Sequence, residues 1–254
     1  MPMLDRPYDE LPPIARARGW RLYATNGKRY LDLCSDGGRL ILGARPAGLG
    51  RLVKEMLDRG LVARAAPSRY GGRLSSALKR RFGASVAFAL YASEREARAA
   101  LSGREHAEWR PFDPSCAGGG SSPFALTGAE LVLLRLPLAR DLSPGVVMGP
   151  GAGSLYPGAA PSPLKAACAA WSLDLLADFA LSYGESAWAR ADPFVGARFE
   201  RRGPWLFPRL SGTEYAAFAR SCLEAGIIVN PDPAEPSLLP GEWTEGELKP
   251  ILSL

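Results

Sequence analysis

Asn26-Gly27 lies between two short β-prone runs, Trp20 to Tyr23 and Arg29 to Leu33, and no other feature restricts this chain's fold as strongly. An Asn-Gly pair between alternating apolar residues signals a tight hairpin, because both residues tolerate positive φ. The sequence therefore predicts a two-residue turn and a small β-ribbon near the N-terminus. Leu49, Leu52, Val53, Met56 and Leu57 follow at helical spacing, and Gly60 supplies the stop.

A second helix is expected over Arg73 to Arg81, with Leu74, Ala77 and Leu78 inward and Gly83 behind it. The run Val86 to Leu90 reads as a buried strand that turns at Ser93 into a helix from Glu94 to Leu101. Strand, tight turn and helix in that order begin an α/β layer. Pro, Gly and Ser dominate from Trp109 to Thr127, which reads as a connection before a strand over Leu131 to Leu134. The stretch from Pro144 to Pro163 reads as a further Gly/Pro-rich loop. Ser162 and Pro163 suit the N-cap and first turn of a long helix with its stripe on Leu164, Cys168, Trp171, Leu175 and Phe179. A strand over Trp205 to Phe207, a helix over Thr213 to Ala225, a strand over Ile227 to Val229 and a closing helix over Glu245 to Leu252 suggest a small α+β domain.

Composition removes several functions. The net charge is +5, but the basic residues are scattered and mostly arginine, so no nucleic-acid face is expected. Apolar runs fall short of the roughly 20 residues of a membrane span, and Asp5, Arg6, Asp9 and Glu10 are unlike a signal peptide. Cys34, Cys116, Cys168 and Cys222 are far apart and His106 is the only histidine, so no metal site is expected. Lone cysteines of this kind fit a reducing cytoplasm. His106 sits in Arg104-Glu105-His106-Ala107-Glu108, which reads as a solvated helix end rather than a catalytic histidine. Gly149-Pro150-Gly151-Ala152-Gly153 has neither a Walker lysine nor GxGxxG spacing and reads as a loop.

Gly19 to Leu33, reading GWRLYATNGKRYLDL, resembles the opening β-ribbon of the class III pyridoxal-phosphate-dependent aminotransferases, the ornithine and acetylornithine aminotransferases, whose pattern is roughly G-x-x-L-Y-D-x-D-G-K-R-Y-L-D. Gly43-Ala44-Arg45-Pro46 is similar to their L-G-H-x-H-P without its histidines. Ala92 to Leu101 resembles N-S-G-T-E-A-N-E-A-A, and Tyr156 to Ala170 resembles F-G-G-N-P-L-A-C-A-A. Glu214 to Val229 and Thr244 to Leu248 are similar to the closing elements. The resemblance covers about two thirds of the chain in the right order. The interval from Leu101 to Leu131 is too short for the family's central sheet.

The resemblance implies a fold-type I architecture, α/β, truncated, with a reduced central sheet and a small α+β C-terminal domain. The expected organisation is residues 1–70 as ribbon and helix, 71–170 as the reduced cofactor domain, and 171–254 as long helix and small domain. A pyridoxal enzyme needs a Schiff-base lysine, an acid at the pyridine nitrogen and amide donors around the phosphate. Where the family's phosphate turn has glycine and threonine, this chain has Glu94 and Arg95. The family's D-E-V-Q is absent, as is every glutamine, and the strand that should end in lysine carries Arg135. Leu155 and Pro236 fall where a phosphate-binding threonine and a carboxylate-binding arginine are expected. Ser93 reads first as an N-cap; Ser93 and Arg95 are the remaining candidates for holding a phosphate, and Lys165 the fallback for an imine.

The expectation is a protein without bound cofactor, or with pyridoxal phosphate if any, acting as a non-catalytic binding or interaction protein. It would form a homodimer or pair with a related aminotransferase, and take a small amino-acid-like ligand. Two alternatives stay open: an active aminotransferase with a relocated lysine, and a structural subunit of a heteromer with a full-length paralogue.

Overall fold

The computed structural model describes residues 11–62, 68–115, 128–156 and 158–254. In chain order these form β1 (Ile14–Arg18), β2 (Arg21–Ala24), β3 (Arg29–Asp32), a short left-handed turn α1 (Ser35–Gly38), α2 (Leu49–Asp58), α3 (Arg69–Phe82), β4 (Phe88–Tyr91) and α4 (Glu94–Ala100). Then come β5 (Ala107–Trp109), β6 (Val132–Leu134), β7 (Gly145–Met148), α5 (Pro163–Ser182), α6 (Glu185–Ala189) and α7 (Asp192–Val195). The chain ends with β8 (Phe199–Arg202), β9 (Trp205–Pro208), α8 (Gly212–Glu224), β10 (Ile227–Ile228), β11 (Ser237–Leu238) and α9 (Glu245–Leu248). They divide into two compact units, one of residues 1–46 and 183–254, the other of residues 47–182.

In the first unit the expected hairpin forms, with Arg21 opposite Leu31 and Tyr23 opposite Arg29. Its loop is three residues long rather than two. Ala24 N–H donates to Lys28 O (2.9 Å) and Gly27 N–H to Ala24 O (3.1 Å), enclosing Thr25, Asn26 and Gly27. Gly27 has φ +85° and Asn26 does not turn positive. A two-residue type I′ turn would need positive φ at both, so this is a type I turn closed by a left-handed glycine. β1 extends the ribbon on one edge and β10 joins β3 in parallel on the other, giving the order β1-β2-β3-β10. α8 covers the sheet with Tyr215, Phe218, Ala219, Cys222 and Leu223 buried. A second sheet, β11-β9-β8, completes the unit. Glu247 of α9 closes a capping box with Thr244 and clamps Arg21 by two bonds of 2.6 and 2.8 Å.

The second unit is built on the sheet β4-β7-β6-β5. β7 runs antiparallel to both β4 and β6, while β5 and β6 are parallel. Every residue of the inner strands β6 and β7 is buried, so they read as short apolar runs without alternation. Two expectations fail here. The stretch from Pro144 to Pro163 contains β7, an interior strand, and not only loop. Ala107 and Glu108 lie in β5, an edge strand, instead of a solvated helix end, with exposed His106 just before it. The connection read from Trp109 to Thr127 falls mostly outside the described residues, as does Cys116. Pro150–Ser154 forms a 3-10 turn whose Gly151 amide donates to Glu130 O (3.1 Å).

α3 starts at Arg69, four residues earlier than expected, and buries Tyr70, Leu74, Ala77 and Leu78 before Gly83, at φ +115°, ends it. It packs on α5, whose Asp174 accepts from Arg80 (2.7 Å) and Arg81 (3.0 Å) in the last turn of α3. α5 departs from a single stripe. Leu164 and Cys168 are buried as expected, Trp171, Leu175 and Phe179 are half-buried, and Ala166, Ala167, Ala169, Ser172, Leu173 and Leu176 are buried too. Small residues let neighbouring elements approach from several sides, so nearly the whole circumference is covered at the N-terminal half. α2 is the reverse: of its apolar stripe only Met56 is buried, and Leu57 is 55% exposed.

Charge organises the edge of this sheet. Glu108 on β5 accepts from Arg135 (2.8 Å), Arg110 (3.1 Å) and Arg98, and Arg135 is only 4% exposed. Burial alone would raise the Glu108 carboxyl, but the three guanidiniums outweigh it and hold the group below its ordinary value of 4.5. Glu108→Gln would remove the carboxylate charge that faces buried Arg135 and should destabilise the protein by roughly 2–3 kcal/mol, less than a fully buried pair because Glu108 touches solvent. The loss should be full at neutral pH and shrink as pH falls below the ordinary carboxylate range, since a lowered pKa stabilises only while the group is ionised. Denaturant titrations of both proteins from neutral to acid pH check the size and the sign. Gly145 opens β7 where an added Cβ would collide with Ser93 O and Ala97 Cβ. Gly145→Ala should therefore cost about 1–3 kcal/mol by overpacking, read from the urea midpoint.

Candidate functional site

The residues that chemistry singled out lie at the carboxyl end of β4. The strand delivers Tyr91 into the core, where it packs with Ala97, Leu101, Leu131, Leu133, Val147 and Leu155. Its hydroxyl donates to Tyr156 O (3.2 Å), and an added Cβ at Gly158 would run into its ring. The chain then turns through Ala92 and extended Ser93 (φ −152°, ψ 160°) into α4.

Ser93 caps that helix: its hydroxyl accepts from Glu96 N–H at 3.3 Å and lies 3.4 Å from Glu96 Oε1, to which it can donate. Glu94 and Glu96 occupy the first turn, where carboxylates are favourable to the helix dipole. Glu94 in turn accepts from Arg98 Nε (2.9 Å), one turn on. Arg95 is exposed and makes no ion pair among the described residues.

Lys165 reaches this turn from a different element. Ser162 caps α5 by accepting from Lys165 N–H (3.3 Å), and Pro163 takes the first helical position, where its missing donor costs nothing. That leaves Lys165 in the first turn of α5. Its Nζ donates to Ala92 O at 2.8 Å, one residue before Ser93. The fold thus brings Lys165 and Ser93 to one turn and leaves Arg95 facing solvent. Nothing local in the sequence joined Lys165 to Ala92, because the contact links residues 73 apart. Leu155 is buried in the core beside the turn and offers only hydrocarbon.

The groups at this turn can do limited chemistry. The Ser93 hydroxyl and the Glu96 amide satisfy each other, the Lys165 ammonium is held by a carbonyl, and Glu94 adds negative charge at the helix start. Among the described residues no group of three or more His, Cys, Asp or Glu side chains could hold a metal, and no helix is long and apolar enough to cross a membrane. Cys168 and Cys222 are buried free thiols, pushed up by burial to about 11 and about 12, so neither is a ready nucleophile.

Comparison with known proteins identifies the fold. No family profile matches the sequence. Over 62 residues, 24% of this chain and 23% of the relative, it is 53% identical to an uncharacterized protein of Borreliella burgdorferi, so it spans about a quarter of that relative. Acetylornithine aminotransferase from Elizabethkingia anophelis superposes with TM-score 0.63 at 12% identity, over 96% of this chain and 93% of that one. An omega-transaminase from Sphaerobacter thermophilus gives 0.67 at 14%, covering 95% and 89%. N-acetylornithine aminotransferase from Stenotrophomonas maltophilia gives 0.61 at 17%, covering 97% and 96%. The chain has the α/β fold of the pyridoxal-phosphate-dependent aminotransferases, in a truncated version with a four-stranded sheet in its second unit.

Proposed function

We propose that this chain is a shortened and degenerate aminotransferase-like protein that has given up pyridoxal-phosphate catalysis and serves as a binding or interaction protein. One observation carries the reading: the turn after β4 is committed to its own structure. A phosphate dianion at this helix start would need free amides and no adjacent carboxylate. Ser93 already caps the Glu96 amide, and Glu94 would repel a phosphate across a short distance. The residues at this turn therefore do not fit the cofactor, and no reaction step is assigned to it.

A second reading is favoured by the Lys165 contact. Lys165 is the lysine whose amine the fold brings to this turn, so an aldehyde ligand held there would meet it first. Such a site would be an imine-forming one with its lysine relocated.

The non-catalytic role requires a partner or a ligand. Apolar side chains left in solvent, Leu57 on α2 and the 88% exposed Leu181 at the end of α5, support association with a second copy or with a related aminotransferase, either as a binding partner or as the structural subunit of a heteromer. A small amino-acid-like ligand is the companion proposal, resting on the fold alone. Free Cys34, Cys168 and Cys222 fit a reducing, cytoplasmic setting.

Purified protein incubated with pyridoxal phosphate and dialysed should keep no imine absorption band and should be blank in transaminase assays across amino donors. Borohydride reduction followed by peptide mass spectrometry separates the two readings. Scattered labelling of Lys28, Lys54, Lys79 and Lys249 alongside Lys165 supports loss of the site, whereas stoichiometric labelling of Lys165 alone establishes the relocated one. Light scattering should give a dimer at micromolar concentration; a monomer with no partner recovered from cells would count against association.

A further inference from the structure

We propose that α2 is the self-association face of this chain, two copies of the helix packing antiparallel so that Leu57 of each lies over Gly50 of the other. The proposal rests on the reading above that the chain associates with a second copy, and it names the surface and the register. α2 packs on α5, and an added Cβ at its N-cap Gly48 would touch the Trp171 indole (3.5 Å). That contact uses only part of the apolar stripe. Met56 is fully buried, Leu49, Leu52 and Val53 are half-buried, and Leu57 is 55% exposed. A stripe covered along one side only has a second side to bury.

Gly50 marks that second side. Glycine is a poor helix former, retained inside a helix where the backbone needs positive φ or another group comes close. Within its own chain Gly50 has neither reason: its φ is not positive, and an added Cβ would meet nothing within 4 Å. Gly50, Val53 and Leu57 are three and four residues apart, so they form one ridge with a hollow at one end and a protruding leucine at the other. Hollow and knob match each other. Gly50 and Leu57 lie about 5 Å along the helix on either side of a point between Val53 and Lys54. A twofold axis through that point exchanges them and seats each Leu57 in the other copy's hollow, as an isologous contact requires.

Charge selects the same register. The N-terminal half of α2 carries Arg51 and Lys54, while the C-terminal half carries Glu55 and Asp58, Glu55 being paired with Arg59 just beyond (2.9 Å). Arg51, Lys54 and Asp58 make no ion pair among the described residues. Antiparallel packing brings Arg51 of one copy level with Asp58 of the other on the same rim, twice about the axis. Lys54 stands beside the axis, where its flexible stem turns the ammonium out to water. Parallel packing would set Arg51 and Lys54 against themselves and Leu57 against Leu57, leaving the hollow at Gly50 unfilled.

Sedimentation equilibrium on the full chain, with urea unfolding of the same proteins at concentrations where they are monomeric, tests this. Gly50→Gln fills the hollow but is the better helix former, so the dimer should weaken about tenfold or more while the urea midpoint does not fall. Leu57→Gln should weaken it to a similar degree. Arg51→Asp and Asp58→Arg should each weaken the dimer, and the chain carrying both exchanges should recover most of the wild-type affinity. A Gly50→Gln chain that dimerises as the wild type does, or a double exchange no tighter than either single one, overturns the α2 register while self-association stands. If the wild type stays monomeric into the hundred-micromolar range, self-association fails and the α2 contact with it, and binding only to an added related aminotransferase then identifies a different occupant.

Discussion

The parallel pairing of β3 with β10 is the constraint on which the first unit depends. It joins residues near the start of the chain to residues near its end, with the whole of residues 47–182 between them in sequence. Two residue pairs, Leu31 with Ile227 and Asp32 with Ile228, could not hold a closure of that length alone. Other contacts share the work. Leu33 N–H donates to Ile228 O and Leu238 N–H to Leu33 O, tying both later strands to β3. Lys28, placed by the Gly27 turn, donates to Leu223 O and Glu224 O at the end of α8, where a cation also meets the negative pole of the helix. Arg21 and Glu247 add a bidentate pair, and Ala24, Tyr30, Leu223 and Ile228 form the apolar seam beneath.

The second unit solves a different problem, that of building an α/β layer from few residues. Its inner strands are three and four residues long and buried throughout. So small a sheet exposes its edges, and on edge strand β5 Glu108 and its arginines stand beside the buried Trp109. The turn after β4 is pressed close to β7, with Gly145 allowing the approach. The turn is held by its own cap, by the Glu94–Arg98 ion pair and by a lysine from α5.

Much of this was legible along the chain. The ribbon, α2, the core face of α3, the cap at Ser93, the start of α5 at Pro163 and the pairing of α8 with a following strand all rest on local signals: turn residues, helical spacing and caps. The signals failed where elements were short or charged. β7 has four residues between Pro144 and Gly149, too few for a period and hidden among turn formers. β5 carries Glu108 between Ala107 and Trp109 and looks solvated until Arg98 of α4 and Arg135 beyond β6 join neighbouring Arg110 to neutralise it. The stripe predicted for α5 failed because neighbours surround that helix, so periodicity lost its meaning.

By itself, then, the sequence determined the local conformations and the order of elements, since these depend on backbone freedom, capping and spacing within a few residues. It also determined which side chains stand at the turn after β4. Only the tertiary structure decided where charges and amines end up: Lys165 on Ala92 O, three arginines around Glu108, and Asp32 beneath a left-handed turn beside Trp205. Lys165 with Ala92, Arg135 with Glu108 and Gly38 with Trp205 join segments remote in sequence, and their energies come from burial and from fields between groups that meet only once the chain has folded.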